Sequence, residues 1–311
     1  MKASIIIPCY NGGDLLPRCI DQCLSQDVDF EFEIIAIDSS STDGSHEYLA
    51  KKSGGDPRIR MFVIDKKQFG HGKTRNFGAS QAKGELLCYL TQDAIPANRY
   101  WLANLVNAMD RHPEAAGAFG RHIAHPGHSP YTKQQLDLHF NSFGPGTVAY
   151  RMESIERYET DTGYRQRLHY YSDNNSCMRR SVWLAHPYDD VPFGEDQIWA
   201  DKIIRLGFTK LYVDDAVVFH SHEFGIRESY IRGCEEGEFF AAHFGYILKK
   251  SSWSVFRTTN YITGNEYRFH LEQSGYSRSV LKLPAIFLRN IAAQWGHYRG
   301  AKNARIDAKK K

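Results

Sequence analysis

The stretch Phe32-Glu33-Ile34-Ile35-Ala36-Ile37-Asp38-Ser39-Ser40-Ser41-Thr42-Asp43-Gly44 reads as a strand that runs out into a loop. Apolar, β-branched residues carry the chain to Asp38. Small polar residues then make a turn, and Ser41, Thr42 and Asp43 are suited to cap a following helix. Upstream, Ile5-Ile6-Ile7 is continuous, as in a strand covered on both faces, and Pro8 ends it. The turn Tyr10-Asn11-Gly12-Gly13 follows, and Leu15, Cys19, Ile20 and Cys23 recur at helical spacing. Downstream, residues 61–64 read as a strand, 74–82 as a helix and 85–90 as a strand. This alternation predicts an α/β fold with a doubly wound, mainly parallel sheet. Such sheets bind ligands beyond the carboxyl ends of their strands. Tyr10–Asn11, Asp38–Asp43 and Thr91–Asp93 each lie just past a strand end, so three separated segments should converge on one crevice.

The rest of the chain is read outward from there. Residues 121–171 lack clear periodicity and read as a substrate-facing insertion with helix around 131–140. A short strand at 176–178, a helix at 196–206 and a strand at 210–218 follow, and beyond His220 the chain reads as mostly helical. Composition sets bounds on function. The chain has 311 residues, 42% hydrophobic and 24% charged, which suits a soluble globular protein. Its six cysteines show no paired spacing, which excludes a disulfide scaffold. No apolar run reaches the roughly 18–20 residues of a spanning helix. The N-terminal isoleucine run stops at Pro8, too short for a secretory signal core, so the expectation is a cytoplasmic chain with reduced thiols. A net charge of +3 argues against nucleic acid as the partner. No His-Glu-x-x-His or Cys-x-x-Cys supports a zinc hydrolase, and Asn11-Gly12-Gly13-Asp14 is not the glycine pattern of a Rossmann dehydrogenase.

Positive charge gathers at the end of the chain. Arg278, Lys282, Arg289, Arg299, Lys302, Arg305, Lys309, Lys310 and Lys311 face a single acid, Asp307. Val280, Leu281, Leu283, Ile286, Phe287, Leu288, Ile291 and Trp295 lie among them. The pattern is that of a basic amphipathic helix, begun or broken at Pro284. Two readings stay open: docking on an anionic membrane surface, or packing on the catalytic domain with a solvated basic face.

Five segments, in order, resemble a family of known enzymes: SIIIPCYNGG (4–13), IIAIDSSSTDGS (34–45), GKTRNFGAS (72–80), LLCYLTQDA (86–94) and FGEDQIWADK (193–202). Together they resemble the family-2 inverting glycosyltransferases of the GT-A fold, over about residues 3–222. FGHGKTRNFGA with LTQDA is similar, more narrowly, to bacterial rhamnosyltransferases that build O-antigen or other surface polysaccharides. The resemblance implies a catalytic domain over 1–225, with a nucleotide-binding half (1–95) and an acceptor-binding half (96–225), and a helical region over 226–311.

The implied chemistry moves a sugar from a nucleoside diphosphate donor to an acceptor hydroxyl. The leaving diphosphate needs neutralising, usually by Mg²⁺ or Mn²⁺. Asp93 is the expected metal ligand, where the family has Asp-x-Asp. Thr91 stands at the first position, which leaves the site one carboxylate short. Thr91 or Gln92 then contacts the donor or a water. His220 and His222 are expected to complete the site, since imidazole suits Mn²⁺. Asp38 is expected to accept the N3–H of uracil or thymine, with a purely local turn role as the alternative. Pro8, Tyr10, Asn11 and Ser40 line the same crevice. Lys73, Arg75 and Asn76, at a helix start, are expected on the diphosphate, and His71, between two glycines, beside the donor. Asp196 is the expected general base, with Glu195 assisting or binding acceptor; helix capping is the alternative for both. Inverting attack on dTDP-β-L-rhamnose gives an α-linked product on a saccharide or undecaprenyl-linked glycan, at the inner face of the plasma membrane. Two rivals remain: the same fold with a UDP-sugar (galactofuranose, galactose or N-acetylglucosamine), and a non-catalytic nucleotide-sugar-binding scaffold.

Overall fold

The computed structural model describes residues 1–274 and 276–308, with side chains outside 274–279 and 306–308. Arg278 and Lys309 to Lys311 of the basic tail therefore fall outside the described side chains. The chain divides into two units: Met1–His128 with Lys133–Ser221, and Ser129–Thr132 with His222–Lys311.

The first unit is built on β1 (Ala3–Cys9), β2 (Phe32–Asp38), β3 (Ile59–Val63), β4 (Leu86–Leu90), β5 (Ile95–Pro96), β6 (Ala115–Ile123), β7 (Thr147–Tyr150), β8 (Asn175–Arg179) and β9 (Thr209–Phe219). They form one sheet in the order β3-β2-β1-β4-β8-β6-β9-β5, with β7 paired to β9. Its helices are α1 (Leu15–Leu24), α2 (Ser45–Gly55), α3 (His71–Gln81), α4 (Trp101–Arg111), α5 (Pro130–Asn141, shared with the second unit), α6 (Ile155–Thr160), α7 (Thr162–His169), α8 (Arg180–Ala185) and α9 (Glu195–Arg205). The sheet is parallel through β3, β2, β1 and β4, as the alternation predicts. Beyond β4 it is mixed: β8 runs antiparallel to both β4 and β6, while β6 and β9 are parallel. The excursion through α5, β7, α6 and α7 returns the chain from the opposite direction.

The isoleucine run divides by period two. Ile5 and Ile7 join one core layer with Leu16, Cys19 and Ile20 of α1, and Ile6 joins the other with Ala79 of α3. Every residue of β2 is buried, which fits a strand covered on both faces. Gly78 lets α3 approach the sheet, since a Cβ there would lie 2.5 Å from Ile6 Cγ2 and 2.7 Å from Ile37 Cδ1. All six cysteines are free thiols, and five are buried.

The second unit holds α10 (Ile226–His243), α11 (Ser252–Ser274) and α12 (Tyr276–Ala308). Pro284 lies inside α12 and does not break it. Gly233 and Gly237 of α10 meet the backbone of α12 at Ala293 and His297, and Gly296 and Gly300 meet that of α10 at Tyr230 and Cys234. The seam of α11 and α12 is largely polar. Glu266 pairs with Arg289, and Asn290 donates to Thr263 Oγ1 at 3.3 Å and Glu266 Oε2 at 3.4 Å. Leu281, Leu288 and Trp295, each two helical turns from the next, point outward at 83%, 50% and 44% exposure. No described helix is long and apolar enough to cross a membrane.

Candidate active site

The carboxyl ends of β1, β2 and β4 are tied together by side chains that the loops themselves supply. Gln92 accepts from Tyr10 N–H at 2.8 Å and donates to Tyr10 carbonyl at 2.9 Å. Asn11 sits at φ 47°, a conformation asparagine tolerates, and its Oδ1 accepts from Thr42 N–H at 2.8 Å. Its own N–H donates to Ser41 Oγ at 2.9 Å. Asp43 accepts from Gly13 and Ser45 N–H, while the N-cap position of α2 itself is Gly44, which has no side chain to cap with. Tyr10 accepts a hydrogen bond from Lys66 Nζ, and the ammonium lies 4.4 Å from the ring centroid. Pro8 pairs in register with Ile37, and Ser40, at φ 62°, donates to Ile64 carbonyl at 2.9 Å.

Four residues expected on the donor side hold protein partners in this geometry. Gln92 spends its amide on the Tyr10 backbone. Asp38 is fully buried, and its carboxylate accepts from Ser41 Oγ at 2.5 Å and meets His46 Nδ1 at 2.9 Å, so it braces its own turn. Asn76 donates to Tyr188 carbonyl at 2.8 Å and accepts from Trp183 Nε1 at 2.9 Å, which makes it a bracket between α3 and the loop before α9. Arg75, expected on the diphosphate, points into the protein at 4% exposure, paired with Glu195 and 3.3 Å from Asp173. The helix start at His71 turns Arg75 onto the buried face with Gly72, Thr74, Gly78 and Ala79. Lys73 stays at the surface, 3.1 Å from Asp190, and His71 packs edge-on against Phe69.

Asp93 and His220 do converge. His220 Nε2 lies 3.8 Å from Asp93 Oδ2. Carboxylate oxygen and imidazole nitrogen are both donors to divalent metal ions. Beside them, Thr91 Oγ1 is buried without a hydrogen-bond partner.

Glu195 and Asp196 open α9 behind Gly194, in the left-handed region at φ 76°. Glu195 is buried, whereas Asp196 is partly exposed. A third acid, Asp173, is 1% exposed and was not legible, because it lies in the short connection between the aperiodic middle of the chain and the strand that follows. Its Oδ1 accepts from Ser176 Oγ at 2.6 Å and Tyr188 hydroxyl at 2.8 Å, and its N–H donates to Asp196 Oδ2 at 3.2 Å. Burial pushes the Asp173 carboxyl up to about 6 against the pull of Arg75. Burial, then the charges of Glu195 and Asp173, push Asp196 well above the usual carboxylate range. Such a group takes up a proton readily near neutral pH.

Comparison with known proteins bears on the family and the fold. Residues 4–184 match the family model for Glycosyl transferase family 2. The chain is 31% identical over 244 residues to the O-antigen chain rhamnosyltransferase RfbN of Salmonella typhimurium, covering 78% of this chain and 73% of that protein. It is 27% identical to the O-antigen chain rhamnosyltransferase WbaN of Salmonella anatum, over 77% of this chain and 72% of that one. Among solved structures it resembles the mannosyltransferase PcManGT of Pyrobaculum calidifontis, in complex with GDP-Man and Mn²⁺, with a TM-score of 0.61 at 14% identity over 98% of this chain and 87% of that one. It also resembles S. aureus TarS 1-349 in complex with UDP-GlcNAc, with a TM-score of 0.56 at 15% identity over 99% and 92%. The fold is thus GT-A-like, and the chain belongs to glycosyl transferase family 2.

Proposed function

We propose that the chain transfers L-rhamnose from dTDP-β-L-rhamnose, with inversion, to a saccharide or undecaprenyl-linked saccharide during surface polysaccharide synthesis. The observation that carries the donor is the likeness to RfbN over most of both chains. Asp196, the acid of its cluster that reaches solvent, is the base in this reading. It takes the acceptor hydroxyl proton as the acceptor oxygen bonds to the anomeric carbon. The bond from that carbon to the diphosphate oxygen breaks, and its electron pair leaves with the nucleoside diphosphate. Asp93, with His220 and His222, would hold a divalent ion, whose chemistry is to neutralise charge on the diphosphate. Thr91, with its unpartnered hydroxyl, is the residue left to meet the donor or a water there.

The second unit fits an anionic membrane surface. Leu281, Leu288 and Trp295 are exposed on one stripe of α12, and exposed Arg299, Lys302 and Arg305 follow them toward its end. Docking there would bring the enzyme to a lipid-linked acceptor on the inner face of the plasma membrane.

A thermal-shift panel tests the donor, because a bound ligand raises apparent stability by mass action. The expected result is greater stabilisation by dTDP-rhamnose than by dTDP, larger with Mn²⁺ or Mg²⁺. A stronger shift with a UDP-sugar overturns the rhamnose assignment and favours the rival donors. No shift with any nucleotide sugar favours a non-catalytic scaffold.

A further inference from the structure

Three carboxylates and one guanidinium meet at the start of α9. Arg75 comes from α3, Glu195 and Asp196 from α9, and Asp173 from the loop before β8. Arg75 and Asp173 are buried at 4% and 1% exposure, and Glu195 at 5%. If every acid were ionised, the group would carry two uncompensated negative charges in a poorly solvated place. Like charges so held do not all ionise, and a proton is retained. Asp173 Oδ1 accepts from Ser176 and Tyr188, while Oδ2, which accepts no hydrogen bond, stands 3.3 Å from Arg75 Nε as an ion pair. Its backbone N–H reaches Asp196 Oδ2 at 3.2 Å. Tyr89, Tyr171 and Tyr188, all buried, face Asp173, and the half-buried Tyr170 faces Asp196; burial first, then those carboxylates, raises the pKa of each phenol, so they stay neutral.

We propose that Asp173 is a positioning residue for proton transfer: its fixed carboxylate, opposed by Arg75, sets how tightly Asp196 holds a proton, while its N–H aims the Asp196 carboxylate. This rests on the reading of Asp196 as the base. Asp173, at 1% exposure, acts through charge and orientation. Its removal should therefore change the pH at which Asp196 works, and leave the donor site as it was.

The experiment is the pH profile of kcat/KM for the full chain, with dTDP-rhamnose and a saccharide acceptor, in wild type, Asp173→Asn, Asp173→Ser and Asp173→Glu. Loss of the charge should move the acid limb to lower pH by about one unit or more, the usual reach of a neighbouring charge. Donor Kd should stay within about twofold, and Asp173→Glu should return the limb toward its wild-type place. A uniform fall in activity with an unmoved acid limb would make Asp173 a packing residue and overturn the proposal. Should both charge-removing variants fail to fold, carboxyl ¹³C titration of aspartate-labelled wild type decides. A pair of mutually shifted transitions, both above the ordinary aspartate range, is expected; none there overturns the proposal. Asp196→Asn separates the two readings. If it retains transfer, the base assignment falls; if it is inert while Asp173→Asn keeps the wild-type profile, only the positioning role falls.

Discussion

Gln92 and Tyr10 form a side-chain-to-backbone pair in which one amide serves both polar groups of one peptide residue, at 2.8 and 2.9 Å. It behaves as a short extra rung between the ends of β4 and β1. Gln92→Ala should cost about 1–2 kcal/mol in urea unfolding, the range for lost hydrogen bonds at a partly exposed site. Donor affinity should weaken as the Tyr10 loop loosens. Unchanged stability and affinity would show that water replaces the rung in full.

Asp93→Ala and His220→Ala should each remove the metal-dependent part of donor affinity. Calorimetry of dTDP binding with and without Mn²⁺ reads this directly. Metal-dependent affinity equal to wild type in both variants would take these residues out of the ion site.

Asp196→Asn should lower kcat by roughly 10²–10⁴-fold, the usual contribution of a positioned base, with donor binding intact. Full activity would assign the proton to another group.

Stability should depend on pH through Asp173. Its folded pKa, raised from 3.8 to about 6 by burial, means that the folded state favours the protonated form. The associated stability is complete below the ordinary aspartate pKa and is lost as pH rises through the folded one. Between about pH 4 and pH 7 the Tm of wild type should therefore fall relative to that of Asp173→Asn. Parallel curves for the two proteins would contradict the raised pKa.

Leu288→Glu with Trp295→Glu should reduce sedimentation with vesicles rich in anionic phospholipid. Activity on a soluble acceptor should change much less. Equal vesicle binding would remove the stripe from membrane docking, and a change in oligomeric state would point instead to a second copy of the chain.

What the sequence disclosed was local. Strand ends, the turns after them and the acid of Thr91-Gln92-Asp93 announce themselves through turn chemistry and β-branched runs, and lie where the alternation puts a crevice, whereas Glu195-Asp196 stood out only through the family resemblance. The convergence of Asp93 with His220 required only that β4 and β9 end on the same side. Arg75 was different. A basic residue near a helix start suggests an anion, and its real partners, Glu195 and Asp173, lie 120 and 98 positions away. Only the tertiary fold tells a buried ion pair from a phosphate contact. Asp173 itself gave no signal, because nothing periodic surrounds it and its meaning depends on the other charges. The antiparallel return of β8 was hidden for the same reason: direction is set by how a long excursion closes.

The polar seam between α11 and α12 has a consequence for how this pair responds to its surroundings. A conventional bundle is held by oil inside and water outside, and hydrocarbon loosens it. Here Glu266, Arg289, Asn290 and Thr263 are joined inside, while leucine and tryptophan face out. Electrostatic attraction strengthens as the local dielectric falls. A micelle or a lipid headgroup layer should thus tighten this hairpin, and plain buffer is the medium in which it is least at ease.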